Sequence, residues 1–309
     1  MNALVAAPGT PGGVELREVA EPQAGPGYAL VDVRAVSLNR GECALLRQAD
    51  DGWRPGWDLA GVVSAGAADG TGPAAGAQVL GWTNGGSWAE RAAVRTDHLA
   101  EIPEGLTFEQ ASTLPVAGLT AVGVLSTLGS LLGRRVAITG AAGGVGRMAV
   151  QLAHMAGAHV TAIVGRPERA DGLGELGADE VEIGLAAEGE PFDLVVESVG
   201  GESLSSAVGR LAPEGMVVSF GNSSNAPATF DPRTFYRTGA PTMVGYFVTY
   251  ELLRGRIGTA RLAALATLVA EGRLRSPIDL VLAWDRAAEA VEALMERRVN
   301  GKAVLTIGS

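Results

Sequence analysis

Two hydrophobic periods divide the chain. Up to about residue 100 the apolar positions come in short runs, Leu4–Ala6, Val14–Val19, Ala29–Val36, Ala60–Ser64, Gln78–Trp82 and Trp88–Val94, separated by Gly and Pro. Runs of that length between turn residues predict β-strands. At Thr107 the pattern turns helical. Thr107 stands before Glu109 and Gln110 as a helix cap would, and Ala117 to Leu132 predicts a long apolar helix. From Arg135 strand and helix patterns alternate, over 136–139, 146–156, 159–164, 168–176, 180–183, 192–197, 202–210, 215–220 and 242–248. Such alternation predicts an α/β domain, a doubly wound parallel sheet with helices on both faces. A helix over Leu252–Ala270, a strand over Ile278–Leu282, a helix over Arg286–Arg297 and a strand over Ala303–Ile307 follow. The last strand is expected to pair back into an earlier sheet.

The most informative stretch is Arg135 to Gly157. A short β-branched run, Val136–Thr139, leads into Ala141-Ala142-Gly143-Gly144-Val145-Gly146, and Val145, Met148, Ala149, Leu152 and Met155 then recur at helical spacing. Strand, glycine-rich turn, helix and a renewed strand at His159–Val164 form the context that a dinucleotide fingerprint requires, here with alanine in place of its first glycine. Gly143 lets the backbone approach a pyrophosphate, Gly146 lets the helix pack closely, and the helix start presents unpaired N–H groups to phosphate. Ala142, Gly143, Gly144, Val145 and Gly146 are therefore the expected cofactor contacts. A P-loop is excluded, because Arg147 and Met148 follow Gly146 where Lys and Ser or Thr would be needed.

The same stretch points to one cofactor. A site for NAD places an acid about 20 residues beyond the glycines to hold the ribose hydroxyls. From Arg147 to Pro167 there is no Asp or Glu, and Val164-Gly165-Arg166 occupies the place. Gly165 leaves room for a 2′-phosphate, and Arg166, with Arg169 as a second cation, pairs with it through charge-assisted hydrogen bonds. NADPH is the expected cofactor.

Charge and composition narrow the partners. With 309 residues the chain is long enough for two cores. A net charge of −10 disfavours nucleic acid and anionic membrane surfaces. No apolar run reaches the length of a membrane span, and the first residues, MNALVAAPGT, lack the basic start of a signal peptide, so a cytoplasmic location is expected. The single Cys43 rules out an internal disulfide and a cysteine-rich metal site. His98, His154 and His159 are scattered and read as surface or helix-face side chains.

Beyond these readings, the chain resembles the medium-chain dehydrogenase/reductase superfamily, in its zinc-independent, quinone oxidoreductase-like and enoyl reductase-like branch. The resemblance rests on Ser37-Leu38-Asn39-Arg40-Gly41, Pro55-Gly56-Trp57-Asp58-Leu59-Ala60-Gly61, Thr113–Ala121, the fingerprint, Leu176-Gly177-Ala178-Asp179, Gly245-Tyr246-Phe247 and Gly301–Leu305. It implies a GroES-like β-rich catalytic domain, 1–118 with 256–309, and a Rossmann domain, 119–255, with the active site in the cleft between them. Where zinc-bearing relatives have Gly-His-Glu this chain has Gly56-Trp57-Asp58, so no metal is expected.

The resemblance also implies site residues. Asn39 and Thr120 are the expected catalytic residues, Asn39, Trp57 and Tyr246 the substrate contacts, and Val199, Phe220, Gly221, Asn222, Tyr246, Phe247 and Val248 further cofactor contacts. One departure is Ala44, which stands where many quinone reductases carry tyrosine. The expected reaction is metal-free hydride delivery from NADPH to a quinone or α,β-unsaturated carbonyl. An enoyl-thioester reductase, or a non-catalytic NADPH-binding regulator that kept the fold, is the alternative. The apolar stretch Thr242–Val248 is expected to be a sheet edge that pairs with its copy in a homodimer.

Overall fold

The computed structural model describes residues 1–255 and 258–308. In chain order the first half holds β1 (Asn2–Ala6), β2 (Val14–Glu18), β3 (Tyr28–Ser37), α1 (Arg40–Leu45), β4 (Asp58–Ala65), β5 (Gln78–Trp82), β6 (Arg91–Arg95), β7 (Leu99–Glu101), α2 (Phe108–Ser112), α3 (Pro115–Ser126), β8 (Arg135–Thr139) and α4 (Gly144–Met155). There follow β9 (His159–Val164), β10 (Glu180–Ile183), β11 (Phe192–Glu197), α5 (Gly201–Gly209), β12 (Leu211–Ser219), α6 (Pro232–Arg237), β13 (Thr242–Gly245), α7 (Val248–Leu253), α8 (Thr259–Ala270), β14 (Ile278–Ala283), α9 (Ala287–Met295) and β15 (Lys302–Thr306). The chain divides into two compact units, Met1–Leu119 with Thr249–Ser309, and Thr120–Val248. The return to the first unit thus comes earlier than the expected 255/256, a boundary whose second residue, Arg256, lies outside the described residues.

The first unit is GroES-like and β-rich. A seven-stranded sheet runs β14-β15-β3-β4-β5-β7, with β6 also on β3, and β1 and β2 form a separate antiparallel pair. The alternation along β3 explains its central place. Ala29, Val31 and Val33 are buried while Asp32 and Arg34 turn outward, so one face joins a core containing Leu59, Val79, Trp88, Leu99 and Leu305. The last strand returns as expected, with β15 pairing antiparallel to β3 through Val304 opposite Ser37. That return carries Lys302 back toward the start of α1.

The second unit is a Rossmann domain. Its six strands lie in the order β10-β9-β8-β11-β12-β13, all parallel. Order 3-2-1-4-5-6 is that of a dinucleotide-binding sheet, with its switch point between the first and fourth strands, here β8 and β11. These two strands are apolar and almost wholly buried on both faces.

Four expected elements differ. The helix read over 168–176 is replaced by short 3-10 turns at Pro167–Arg169 and Gly174–Leu176, because glycines at 172, 174 and 177 interrupt it. The helix expected to Leu132 ends at Ser126, before Gly129. The helix expected over Leu252–Ala270 is two, α7 and α8, flanking Arg256 and Ile257, which lie outside the described residues. The strand expected over 242–248 stops at Gly245, and Val248 already begins α7. Among the described residues no helix is long and apolar enough to cross a membrane.

Candidate functional site

In the second unit the residues expected to bind the cofactor gather at the carboxyl ends of the parallel strands. The turn after β8 carries Ala141 and Ala142, both buried, and α4 starts at Gly144 rather than at Gly146. Gly146 shows why this turn needs glycine. A Cβ there would overlap the Gly140 carbonyl oxygen and come within 2.6 Å of Ala141 Cα, so the helix is packed onto its own entry loop. The buried face of α4 is formed by Gly146, Met148, Ala149, Val150 and Ala153, whereas Met155, expected on that face, is exposed. Val145 is half-buried.

After β9, Gly165 borders open space and Arg166 is exposed, with Arg169 half-buried in the following turn. The loops after β11 and β12 hold one another: Ser223 N–H donates to Ser198 O at 3.1 Å and Ser224 N–H to Val199 O at 2.8 Å. Phe220, Gly221 and Asn222 lie between the end of β12 and these anchors. Tyr246 N–H donates to Ser219 O at 2.8 Å, which extends the β13 register by one bond, and the ring packs against Gly123 on α3. Phe247 is 61% exposed, while Val248 is buried. Thr120 is buried on α3.

One residue here escaped the sequence reading. Glu197, fully buried at the end of β11, accepts N–H groups from Val199 at 2.9 Å and Gly200 at 3.1 Å. It closes the loop that holds Val199. A single buried acid at a strand end has no periodicity to betray it.

The first unit contains a buried polar cluster around Asn39. Asn39 Nδ2 donates to Asp58 Oδ2 at 2.8 Å and to Glu42 Oε1 at 3.0 Å, and Asn39 Oδ1 accepts from Lys302 Nζ at 2.7 Å. Both amide hydrogens are therefore engaged inward. Lys302 Nζ also pairs with Asp58 Oδ2 at 3.2 Å. Asp58 further accepts from Ser37 Oγ and from Val116 N–H, each at 2.8 Å. Glu42 accepts the Asn39 backbone N–H at 2.7 Å on one oxygen and the Trp57 N–H at 2.8 Å on the other.

The electrostatics of this cluster are unbalanced. Glu42 and Asp58 are both 0% exposed and Lys302 only 3%, so two carboxyl groups share one ammonium out of water. Burial pushes the Glu42 carboxyl up to about 8 and the neighbouring Asp58 charge adds to this, with Lys302 and the Asn39 hydrogen bonds opposing. Of the three histidines, one departs from the sequence expectation. His98, expected at a surface, is 2% exposed, edge-on to Trp82 with centroids 5.1 Å apart, and burial pushes its imidazole down. His154 is exposed, and His159 lies 3.5 Å from Asp179 and 3.3 Å from Glu180. Among the described residues no group of three or more His, Cys, Asp or Glu is arranged to hold a metal ion.

A β-rich GroES-like unit interrupted in sequence by a Rossmann unit is the architecture of a nucleotide-dependent dehydrogenase or reductase. The comparisons agree. The family described as zinc-binding dehydrogenase matches residues 176–305. Pikromycin polyketide synthase component PikAII of Streptomyces venezuelae is 33% identical over all of this chain, which spans 8% of that protein. Acrylyl-CoA reductase AcuI of Ruegeria pomeroyi is 35% identical over 58% of this chain and 59% of its own length. The chain thus spans less than two thirds of each of these relatives. The solved quinone oxidoreductase of Coxiella burnetii superposes with a TM-score of 0.86 at 26% identity, covering 100% of this chain and 99% of that one. The chain belongs to the medium-chain dehydrogenase/reductase superfamily.

Proposed function

We propose that this protein is an NADPH-dependent reductase that delivers hydride, without a metal, to a quinone or an α,β-unsaturated carbonyl, enoyl thioesters included. The observation that carries the reading is the cradle after β8. Gly143 closes the turn, its N–H donating to Gly140 O at 2.9 Å, α4 opens at Gly144 with the N–H groups of a helix first turn, and Gly146 brings that helix onto the Gly140 turn, the arrangement that receives a pyrophosphate. The open space at Gly165, followed by Arg166 and Arg169 and preceded by a stretch from Arg147 without Asp or Glu, suits a 2′-phosphate. The loops at Val199, at Phe220 to Asn222 and at Tyr246 to Val248 are the further cofactor contacts, with Thr120 at the nicotinamide. Bound NADPH supplies a hydride to an electron-poor carbon of the acceptor.

The proposed acceptor contacts are Asn39 and Trp57 in the first unit and Tyr246 in the second. Because both Nδ2 hydrogens of Asn39 are directed at carboxylates, its contribution is to shape the surface and to hold the Lys302 ammonium, rather than to donate to the acceptor. The absence of a histidine at Trp57 and of any metal-ligand cluster among the described residues supports a metal-free reaction. The named activities of AcuI and of the Coxiella protein support conjugated carbonyls and quinones as the acceptor classes. The edge strand β13, with Met243 38% exposed, supports a homodimer formed by pairing the same strand of two copies.

The test is NADPH oxidation against a panel of quinones, enones and enoyl thioesters, with NADH in parallel. Turnover of at least one acceptor with preference for NADPH is expected. Tight NADPH binding without turnover of any acceptor would replace this reading with that of a non-catalytic NADPH-binding protein.

A further inference from the structure

Glu42 was not singled out by the sequence, yet it touches both residues assigned to the acceptor in this unit. One of its oxygens accepts the Asn39 backbone N–H at 2.7 Å and the Asn39 amide at 3.0 Å, and the other accepts the Trp57 backbone N–H at 2.8 Å. The indole of Trp57 is seated by the same short helix. A Cβ on Gly41 would come within 2.9 Å of Trp57 Cη2, so the ring lies on the first turn of α1. A single buried carboxylate thereby ties the start of α1 to the segment before β4. All three of its partners are N–H donors, which suits an acceptor-only group.

We propose that Glu42 is the positioning residue of the acceptor surface, its ionised carboxylate fixing Asn39 and Trp57 in one arrangement. This rests on the reductase reading above for what the surface binds. The geometry itself does not depend on it. A proton on Glu42 enters at Oε2, which accepts one N–H where Oε1 accepts two, and there it weakens the bond from the Trp57 N–H. The groups facing Glu42 are Asp58 from β4, Lys302 from β15, and Cys43 on its own helix, with Arg40 beside Cys43. Arg40 is turned to the carbonyl oxygens of Leu294 and Met295, each at 3.2 Å, which leaves Lys302 as the cation of the cluster. Burial places the Glu42 titration at about 8, so the surface tightens as pH rises through that value.

The experiment combines NMR of the whole protein with steady-state kinetics on p-benzoquinone and cyclohexenone. In the parent protein the Trp57 backbone amide resonance should titrate near pH 8, and kcat/KM for the acceptor should rise over the same range. In E42Q both transitions should vanish and the acceptor KM should increase about tenfold, since the Gln amide nitrogen cannot accept from Trp57 N–H, while NADPH affinity stays within about twofold. G41A should raise the acceptor KM by displacing the indole and leave the amide titration in place. A Trp57 amide that does not titrate, or an E42Q variant with parental acceptor KM and pH profile, overturns the proposal. Should E42Q fail to fold, a parental acceptor KM in G41A overturns it instead. An amide that titrates in a protein reducing no acceptor sinks the reductase reading and leaves the positioning by Glu42 standing.

Discussion

Replacing Lys302 with methionine isolates the energetics of the buried cluster, because methionine keeps most of the apolar stem and removes the only ammonium. Lys302 and Asp58 are 4% and 0% exposed as side chains and lie 3.2 Å apart. Removing one partner of such a pair strands the other charge and costs about 3–5 kcal/mol. The cost should grow with pH. In the parent the folded value of Glu42, about 8, lies above its ordinary 4.5. The folded state therefore binds the extra proton, the associated stability is complete below pH 4.5, and it is lost as pH rises to about 8. Lys302 opposes this shift, so its loss carries the Glu42 titration further upward and prolongs the decline in stability beyond pH 8.

Urea unfolding of parent and K302M at pH 6 and pH 9 measures both effects. At pH 6 Glu42 is protonated in both proteins, and the difference reports the stranded Asp58. At pH 9 the parent retains a cation beside two carboxylates and the variant does not, so the difference should be larger. D58N in the K302M background should recover part of the loss, because the stranded charge is then removed. A difference below about 1 kcal/mol, or one equal at the two pH values, would show that the cluster is solvated enough to screen these charges, and the reasoning would fail.

Three further outcomes are expected. G146V should lower NADPH affinity by more than tenfold, by fluorescence titration, and reduce the melting temperature, because the added carbons meet Gly140 and Ala141 backbone rather than a movable side chain; parental affinity would refute the packing argument. R166A should narrow the preference for NADPH over NADH by about tenfold, the value of one charge-assisted pair, and equal affinities in the parent would remove the 2′-phosphate assignment. Because Tyr246 N–H points to Ser219, the N–H groups of Thr242 and Val244 share that inward side and those of Met243 and Gly245 face outward. M243P should therefore give monomer by sedimentation, whereas a parent that is already monomeric at micromolar concentration would rule out the strand-paired dimer.

The Rossmann unit was legible because its strands are buried on both faces and read as continuous apolar runs, and because Ala141–Gly146 sits where strand turns to helix. Its errors have local causes. Tyr246-Phe247-Val248 continues the apolar run of β13, and no residue announces that the chain turns there into α7. In the first unit, periodicity located β3, β4 and β5 but missed α1, six residues long and too short to show a helical face. The Asn39 cluster was legible only in part. Resemblance marked Asn39 and Trp57, but Ser37, Glu42, Asp58, Val116 and Lys302 converge from four stretches of chain, and one-dimensional spacing contains no trace of that convergence.

That convergence has a consequence for the newborn chain. Thr120–Val248 is contiguous and is complete, as a sequence, while the ribosome has yet to make the final segment of the other unit. The first unit must wait, since β15 supplies a strand beside β3 and brings Lys302 to Asp58 only after all of Thr120–Val248 has been made. Until then two carboxyl groups destined for the interior have no cation, and the cheapest refuge for that nascent half is to remain open to water. Vectorial synthesis would thus order the assembly, with the nucleotide-fold half maturing first and the arrival of one lysine licensing closure of the other.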